Sequence, residues 1–286
     1  TVSSNLTQNN GSHVVHNNGQ FTNNGSHNLN GGNFTVVGGG TATNNTANFT
    51  GNGGSLFVLG GGTLNGTGSY TQNSGSMQID GAMAQTDVTI NGGTVTGGTG
   101  NETFTLTGAG TVSATIDGEA GTDRFDLATG VMVTGALTGG ADVDILTTDG
   151  SAATTFVIDQ ADSGTLSNRG GARFSTIEDI QAGDGVADSF RFETGGSLDQ
   201  ATLDGGTGAG DYSLDGTTAA DQFLIDGTNA GVATIATTTT NFVEVESLNA
   251  RRGDDTFTFT TTGLLAGALD GGDDNDLLIG SNSGDV

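Results

Sequence analysis

Apolar residues in this chain come in short alternating bits between Gly- and Asn-rich corners, never in helical arcs. Phe34-Thr35-Val36-Val37, Leu56-Phe57-Val58-Leu59 and Asp87-Val88-Thr89-Ile90 are β-prone runs of four bounded by turn residues. Gly and Asn tolerate left-handed backbone, so they mark corners rather than strand centres. No stretch carries a 3.6-residue period, and the dominant Gly, Thr, Asn and Val are poor helix formers. The expected fold class is all-β.

The bits recur. Leu6-Thr7-Gln8-Asn9-Asn10-Gly11-Ser12, Phe21-Thr22-Asn23-Asn24-Gly25-Ser26 and Tyr70-Thr71-Gln72-Asn73-Ser74-Gly75-Ser76 share one phrase. Later, a carboxylate stands two residues before a large apolar residue: Glu102/Phe104, Asp123/Phe125, Asp144/Leu146, Asp188/Phe190, Asp255/Phe257 and Asp276/Leu278. These carboxylates are spaced 21, 21, 44, 67 and 21 apart, a unit of about 21–22 with Asp211 in one skipped place. A longer repeat of about 66 residues overlies it. Asp144 and Asp211, Phe156 and Phe223, and Asp188 and Asp255 are each 67 apart. Gly-Gly pairs fall at 139–140, 205–206 and 271–272. Three coils per super-repeat are expected.

A unit of about 22 residues cannot bury its own apolar face, but identical units stacked in parallel can. The spacing therefore predicts a parallel β-helix, or β-solenoid, of about 13 coils and roughly 60 Å at ~4.8 Å per coil. Like side chains then lie in columns. Phe and Leu point inward, and Asn at equivalent corners stacks as a hydrogen-bonded ladder.

Composition adds a boundary and a charge. Residues 1–79 hold no Asp, Glu, Lys or Arg, and residues 80–286 hold every formal charge, beginning at Asp80. We read two segments of one solenoid: 1–79, uncharged and Asn/Thr/Gly-rich, and 80–286, acidic, with the three-coil super-repeats. Six Arg against 32 carboxylates leave −26 at pH 7, a field that disfavours nucleic acid and anionic membranes and favours cations. No apolar run reaches the ~20 residues of a membrane span. Cys is absent, so no disulfide staples the fold. Thr1 is no initiator residue, and we expect an internal piece of a longer or processed polypeptide.

The texture of Gly61-Gly62-Thr63-Leu64-Asn65-Gly66-Thr67-Gly68-Ser69-Tyr70 resembles filamentous-haemagglutinin and autotransporter passenger β-helices, over roughly residues 1–98. The remainder is similar to acidic repeats of large bacterial exoproteins, including the repeats-in-toxin pattern Gly-Gly-x-Gly-x-Asp-x-apolar. Residues 271–279 match that pattern except that Asp274 replaces the third Gly, and residues 139–146 make the same departure at Asp142. Residues 97–104 keep the glycines but place Glu102 at the Asp position. These resemblances imply a secreted, right-handed parallel β-helix in an adhesin or matrix fibre.

Candidate chemistry follows. Asp142, Asp144, Asp254, Asp255, Asp273, Asp274 and Asp276 are candidate calcium ligands, since stacked carboxylates and carbonyls can supply the six to eight oxygens calcium takes. Copies 21–23 residues apart do not reproduce the tandem nine-residue spacing, so the competing reading is a tight Gly/Asp corner before an inward side chain. No other cofactor is expected. His13, His16 and His27 lack a clear fourth metal ligand and suit solvent-facing corners. Acceptor sequons for glycosylation at Asn5, Asn10, Asn24, Asn33, Asn44, Asn48, Asn65 and Asn101 are expected to stay unmodified. Arg169, Arg173, Arg251 and Arg252 are placed to meet acidic columns of the next coil, or a neighbouring acidic rod.

A glycan-cleaving β-helix would need carboxylates at unique positions. Here they repeat, and no Lys is present. The expectation is a non-catalytic structural or adhesive segment of a large secreted bacterial surface protein or matrix fibre. Its partners would be host or neighbouring-cell glycans, surface proteins or further copies of itself. A filament subunit stacking end to end and a calcium-stabilised module are the alternatives.

Overall fold

The computed structural model describes residues 6–16, 18–44, 49–59, 62–65, 69–79, 82–84, 87–106, 111–199, 201–208 and 211–281. Asn5, Asn48, Gly61, Asp80 and residues 66–68 lie outside that set. The described residues form strands and turns without helices, and parallel coils stack as a β-solenoid of about 12 turns. These turns divide between two compact units, Thr1–Asp144 and Ile145–Val286.

The first unit repeats a coil of three strands, beginning with Leu6–Gln8, Ser12–Val15 and Gln20–Asn23. Each strand pairs in parallel with its counterpart one coil on: Leu6 opposite His27, Ser12 opposite Asn33, Gln20 opposite Thr41, all 21 apart. One coil is shorter, with Ser69 opposite Asp87 and Ser76 opposite Thr94, 18 apart. Since side chains alternate across a strand, register stacks inward positions into columns. Phe34, Leu56, Met77, Val95, Ile116 and Leu137 make one such column, each at most 2% exposed. Each buried aromatic or aliphatic side chain contributes about 2 kcal/mol. The ladder continues past the compositional step at 79/80, with Met77 opposite Val95. Coils meet backbone to backbone at the corners: a Cβ on Gly32, at φ +75°, would lie 2.1 Å from the Gly11 carbonyl oxygen.

The second unit alternates between two faces. One face holds Ile145–Thr148, Asp179–Gln181, Thr202–Asp204, then an antiparallel meander of Gln222–Gly227, Ala230–Ile235 and Thr238–Val243, then Thr256–Phe259 and Leu277–Ile279. The other holds the meander Thr155–Gln160, Ser163–Leu166 and Arg173–Ser175, then Ser189–Phe192, Ser213–Asp215, Ser247–Asn249 and Leu269–Asp270. The antiparallel pairings are local hairpins; coil-to-coil pairing stays parallel.

This corrects the three-coil reading of the super-repeat. One copy visits five places in turn: Ile145–Thr148, the first meander, Asp179–Gln181, Ser189–Phe192 and Thr202–Asp204. Five is odd, so the next copy starts on the opposite face. Phe156 and Phe223 occupy the same place in their meanders, stacking on Phe190 and Phe257 at 5.4 and 5.1 Å, but on different faces. The physical reason is levelling. A meander adds two extra rungs, each ~4.8 Å, to one face alone, and moving the next meander to the other face restores equal height.

Candidate functional site

The chemistry-bearing side chains gather in corner columns. At the first corner of the first unit stands the expected Asn ladder. Asn30, Asn52, Asn73 and Asn91 each donate through Nδ2 to Oδ1 of the Asn one coil earlier, Asn9 to Asn73, at 3.0, 2.9, 2.8 and 2.8 Å. Every donor finds its acceptor one coil away because coil length is nearly constant. Inside the unit, buried Asn23 donates to Asn44 at 3.0 Å.

The second ladder is acidic. The residue just before the third strand of each coil is Gly19, Gly40 and Gly62 early on, then Glu102, Asp123 and Asp144. In the early coils the amide there closes a local turn: Gly19 to the His16 carbonyl at 2.9 Å, Gly40 to Val37 at 3.1 Å, Gly62 to Leu59 at 2.9 Å. In the acidic coils the corner from Gly97 to Glu102 is one residue longer than that from Val36 to Gly40, and the amide needs another acceptor. The next coil supplies it. The Glu102 amide donates to Asp123 Oδ1 and the Asp123 amide to Asp144 Oδ1, both at 2.7 Å. Such charge-assisted bonds contribute about 1.5–3 kcal/mol each.

Room for these carboxyls comes from a second exchange. The apolar column Val15, Val36 and Val58 continues as Gly97, Gly118 and Gly139. A Cβ on Gly118 would stand 2.2 Å from Asp123 Oδ2, and one on Gly97 would stand 2.7 Å from Glu102 Oε2. Glycine at the fifth residue before the carboxylate therefore makes space for the second oxygen.

The second unit reuses the device. Asp221 donates its amide to Asp255 Oδ1 at 2.6 Å, Asp255 to Asp276 Oδ1 at 3.1 Å, and Thr154 to Asp188 Oδ1 at 2.5 Å. Asp211 does not hold the place expected for it; Tyr212 does, and its amide donates to Glu246 Oε2 at 2.9 Å. Asp211 is exposed and accepts from Ser247 Oγ, because one added residue shifts the alignment so that Leu214 answers to Leu146.

Burial sets the electrostatics. Asp123, Asp188 and Asp255 are at most 1% exposed. Burial pushes the Asp123 carboxyl up to about 7, reinforced by the charges of Glu102 and Asp144 against the downward pull of its amide bond. Asp188 and Asp255 rise to about 6, again chiefly by burial. Each keeps an Oδ2 with no hydrogen-bond donor. At Asp123 the cause is visible: Gly98 donates to Glu102 Oε2 at 2.9 Å, whereas the corresponding Glu119 amide turns to Asp117 Oδ1 at 3.1 Å.

No family model, curated protein or solved structure matches this chain.

Among the described residues no group of three or more His, Cys, Asp or Glu is arranged to hold a metal ion. The candidate calcium ligands make the following contacts within the chain. Asp144, Asp255 and Asp276 are ladder members, as above. Asp254 accepts from the Asn275 amide at 3.1 Å, Asp274 from Gly253 at 3.3 Å, and Asp273 pairs with Arg252 at 3.2 Å. Asp142 stands on an exposed corner at φ 78°.

The histidines divide. His16 is exposed and His13 half-buried, but His27 is a core residue, correcting its expected corner place. It replaces the ring that Phe49 and Tyr70 supply in later coils, lies 4.3 Å from Phe49, and has neither ring nitrogen hydrogen-bonded. Burial, with His13 nearby, lowers it to about 4. Arg252 meets the next coil as expected, Arg173 meets Asp159 of its own meander at 3.4 Å, and buried Arg169 meets Asp149 at 3.4 Å. Arg251 caps the Phe192 carbonyl at 3.1 Å. What the sequence reading missed was the Gly–carboxylate coupling at five residues, although Gly97/Glu102, Gly118/Asp123, Gly139/Asp144, Gly216/Asp221 and Gly271/Asp276 all carry it.

Proposed function

We propose that this chain is a structural and adhesive segment of a large secreted bacterial surface protein or extracellular matrix fibre, with no catalytic role. The observation that carries the reading is the use of its reactive side chains. The buried carboxylates and corner amides recur coil after coil and are engaged in joining coils, whereas catalysis needs a constellation that occurs once. A repeat-built, Cys-free solenoid with strong negative charge suits an exposed extracellular setting, as does its resemblance to passenger β-helices. Its partners in this reading are glycans or surface proteins of host or neighbouring cells, or further copies of itself. The test pairs glycan-array binding with a polysaccharide-turnover assay on the same glycans. Retained glycan without product supports the reading; reducing ends or unsaturated products released with time would overturn it.

A further inference from the structure

In the first unit, Asp123 is wholly buried between Glu102 on the preceding coil and Asp144 on the following one. Residues stacked on adjacent coils lie about 4.8 Å apart, so three carboxyls share a column sealed from water. Each of Asp123 and Asp144 spends Oδ1 on an amide of the coil before. Asp123 Oδ2 meets no donor. Arg124, the unit's one Arg, pairs with Asp126 at 2.7 Å. Asp117 is taken by the Glu119 amide, and Glu119 and Asp142 point to solvent on the corners. A buried carboxylate with like charges above and below and no donor on its second oxygen is costly in its ionised form.

We propose that the Glu102–Asp123–Asp144 column is a proton-binding site, in which Asp123 holds a proton on Oδ2 and shares it with the Glu102 carboxyl, so that the acidic coils tighten as their surroundings acidify. The bound proton is the missing donor. It removes one of three stacked charges and leaves both amide bonds to Oδ1 in place. The raised titration of Asp123, due first to burial, agrees in direction. Folded coils then bind more protons than the unfolded chain across mildly acidic pH, and stability rises as pH falls through that window.

The test uses the full chain. Amide hydrogen exchange over residues 98–124, corrected for the intrinsic pH dependence of exchange, is compared at pH 7.5 and 5.5. Protection is expected to rise roughly tenfold on acidification, the equivalent of one pH unit of linkage. Asp123→Asn places a permanent donor at Oδ2, so its coils should match acidified wild type at both pH values. Independently of any variant, isotope-edited infrared spectra of wild type with labelled Asp should contain a protonated-carboxyl C=O band near pH 6. Wild-type protection that is flat with pH, or absence of that band, overturns the proposal. So does an Asp123→Asn loss of equal size at both pH values. Calcium at pH 7.5 reproducing the acid effect would also overturn it, by making the column a cation site.

Discussion

The early and late coils of the first unit meet one requirement in two ways. Before the third strand of the described coils an amide must find an acceptor, because an unpaired buried backbone donor costs about as much as a lost hydrogen bond. At Gly19, Gly40 and Gly62 a tight corner closes on itself, and Val15, Val36 and Val58 fill the space behind it. At Glu102 and Asp123 the corner is one residue longer, the acceptor is a carboxylate from the next coil, and Gly97 and Gly118 stand where valines stood. The first arrangement holds a coil together internally. The second makes each coil depend on its neighbour, so it ties stacking to protonation.

The harshest way to break the comparison is to put the early recipe into a late coil. Gly118→Val would set Cβ 2.2 Å from Asp123 Oδ2 and 2.5 Å from the Gly139 carbonyl. We expect a loss of about 3 kcal/mol or more, the upper range for overpacking, measured by hydrogen exchange over the acidic coils. The smaller double change Gly118→Ala with Asp123→Ala should cost less than the sum of its singles, since neighbours that clash are coupled. Strict additivity would mean the glycine column exists for some reason other than the carboxyls.

The comparison sharpens with pH, because the two regions titrate in opposite senses. His27 is held down at about 4, so the folded early coils keep it neutral while the unfolded chain takes up a proton near its ordinary 6.5. Their stability is complete above about 6.5 and is lost as pH falls toward 4. Asp123 is held up at about 7, so the late coils lose stability as pH rises through 7. Between pH 7 and 4.5, exchange protection should therefore fall around residues 21–49 and rise around residues 98–124. His27→Phe should abolish the first trend and leave the second. A parallel response of both regions would remove local titration as the cause.

How much of this was legible beforehand differs by feature. The coil period, the inward Phe and Leu columns and the Asn ladder follow from spacing and side-chain type alone, because a parallel stack places like on like. The Asp-x-Phe repeat was visible too, but its chemistry was not. Whether Asp144 or Asp276 faces an amide or a calcium ion depends on where each oxygen points, and Gly-Gly-x-x-x-Asp reads the same either way. The meanders escaped because 67 divides almost evenly by 22, and antiparallel hairpins leave the same alternation of apolar residues as coil strands. His27 escaped because its neighbours Ser26 and Asn28 look like a corner; only the register that sets it opposite Phe49 puts it in the core.

The mildest break falls on the Asn ladder, where no titration is involved. Asn52 gives one ladder bond to Asn30 and receives one from Asn73, on an exposed corner. Asn52→Ala removes both, and with water free to replace them the net cost should be about 1 kcal/mol in all. Chemical denaturation of the variant and wild type should give the same difference at pH 5 and pH 7.5. Asn52→Asp keeps the acceptor for Asn73 but loses the donor to Asn30 and brings a charge into an uncharged face, so above its titration it should cost slightly more than alanine. A loss near 3 kcal/mol for Asn52→Ala would mean that the corner ladder orders the coils as strongly as the buried carboxyls, and the distinction between self-closed and neighbour-dependent coils would fail.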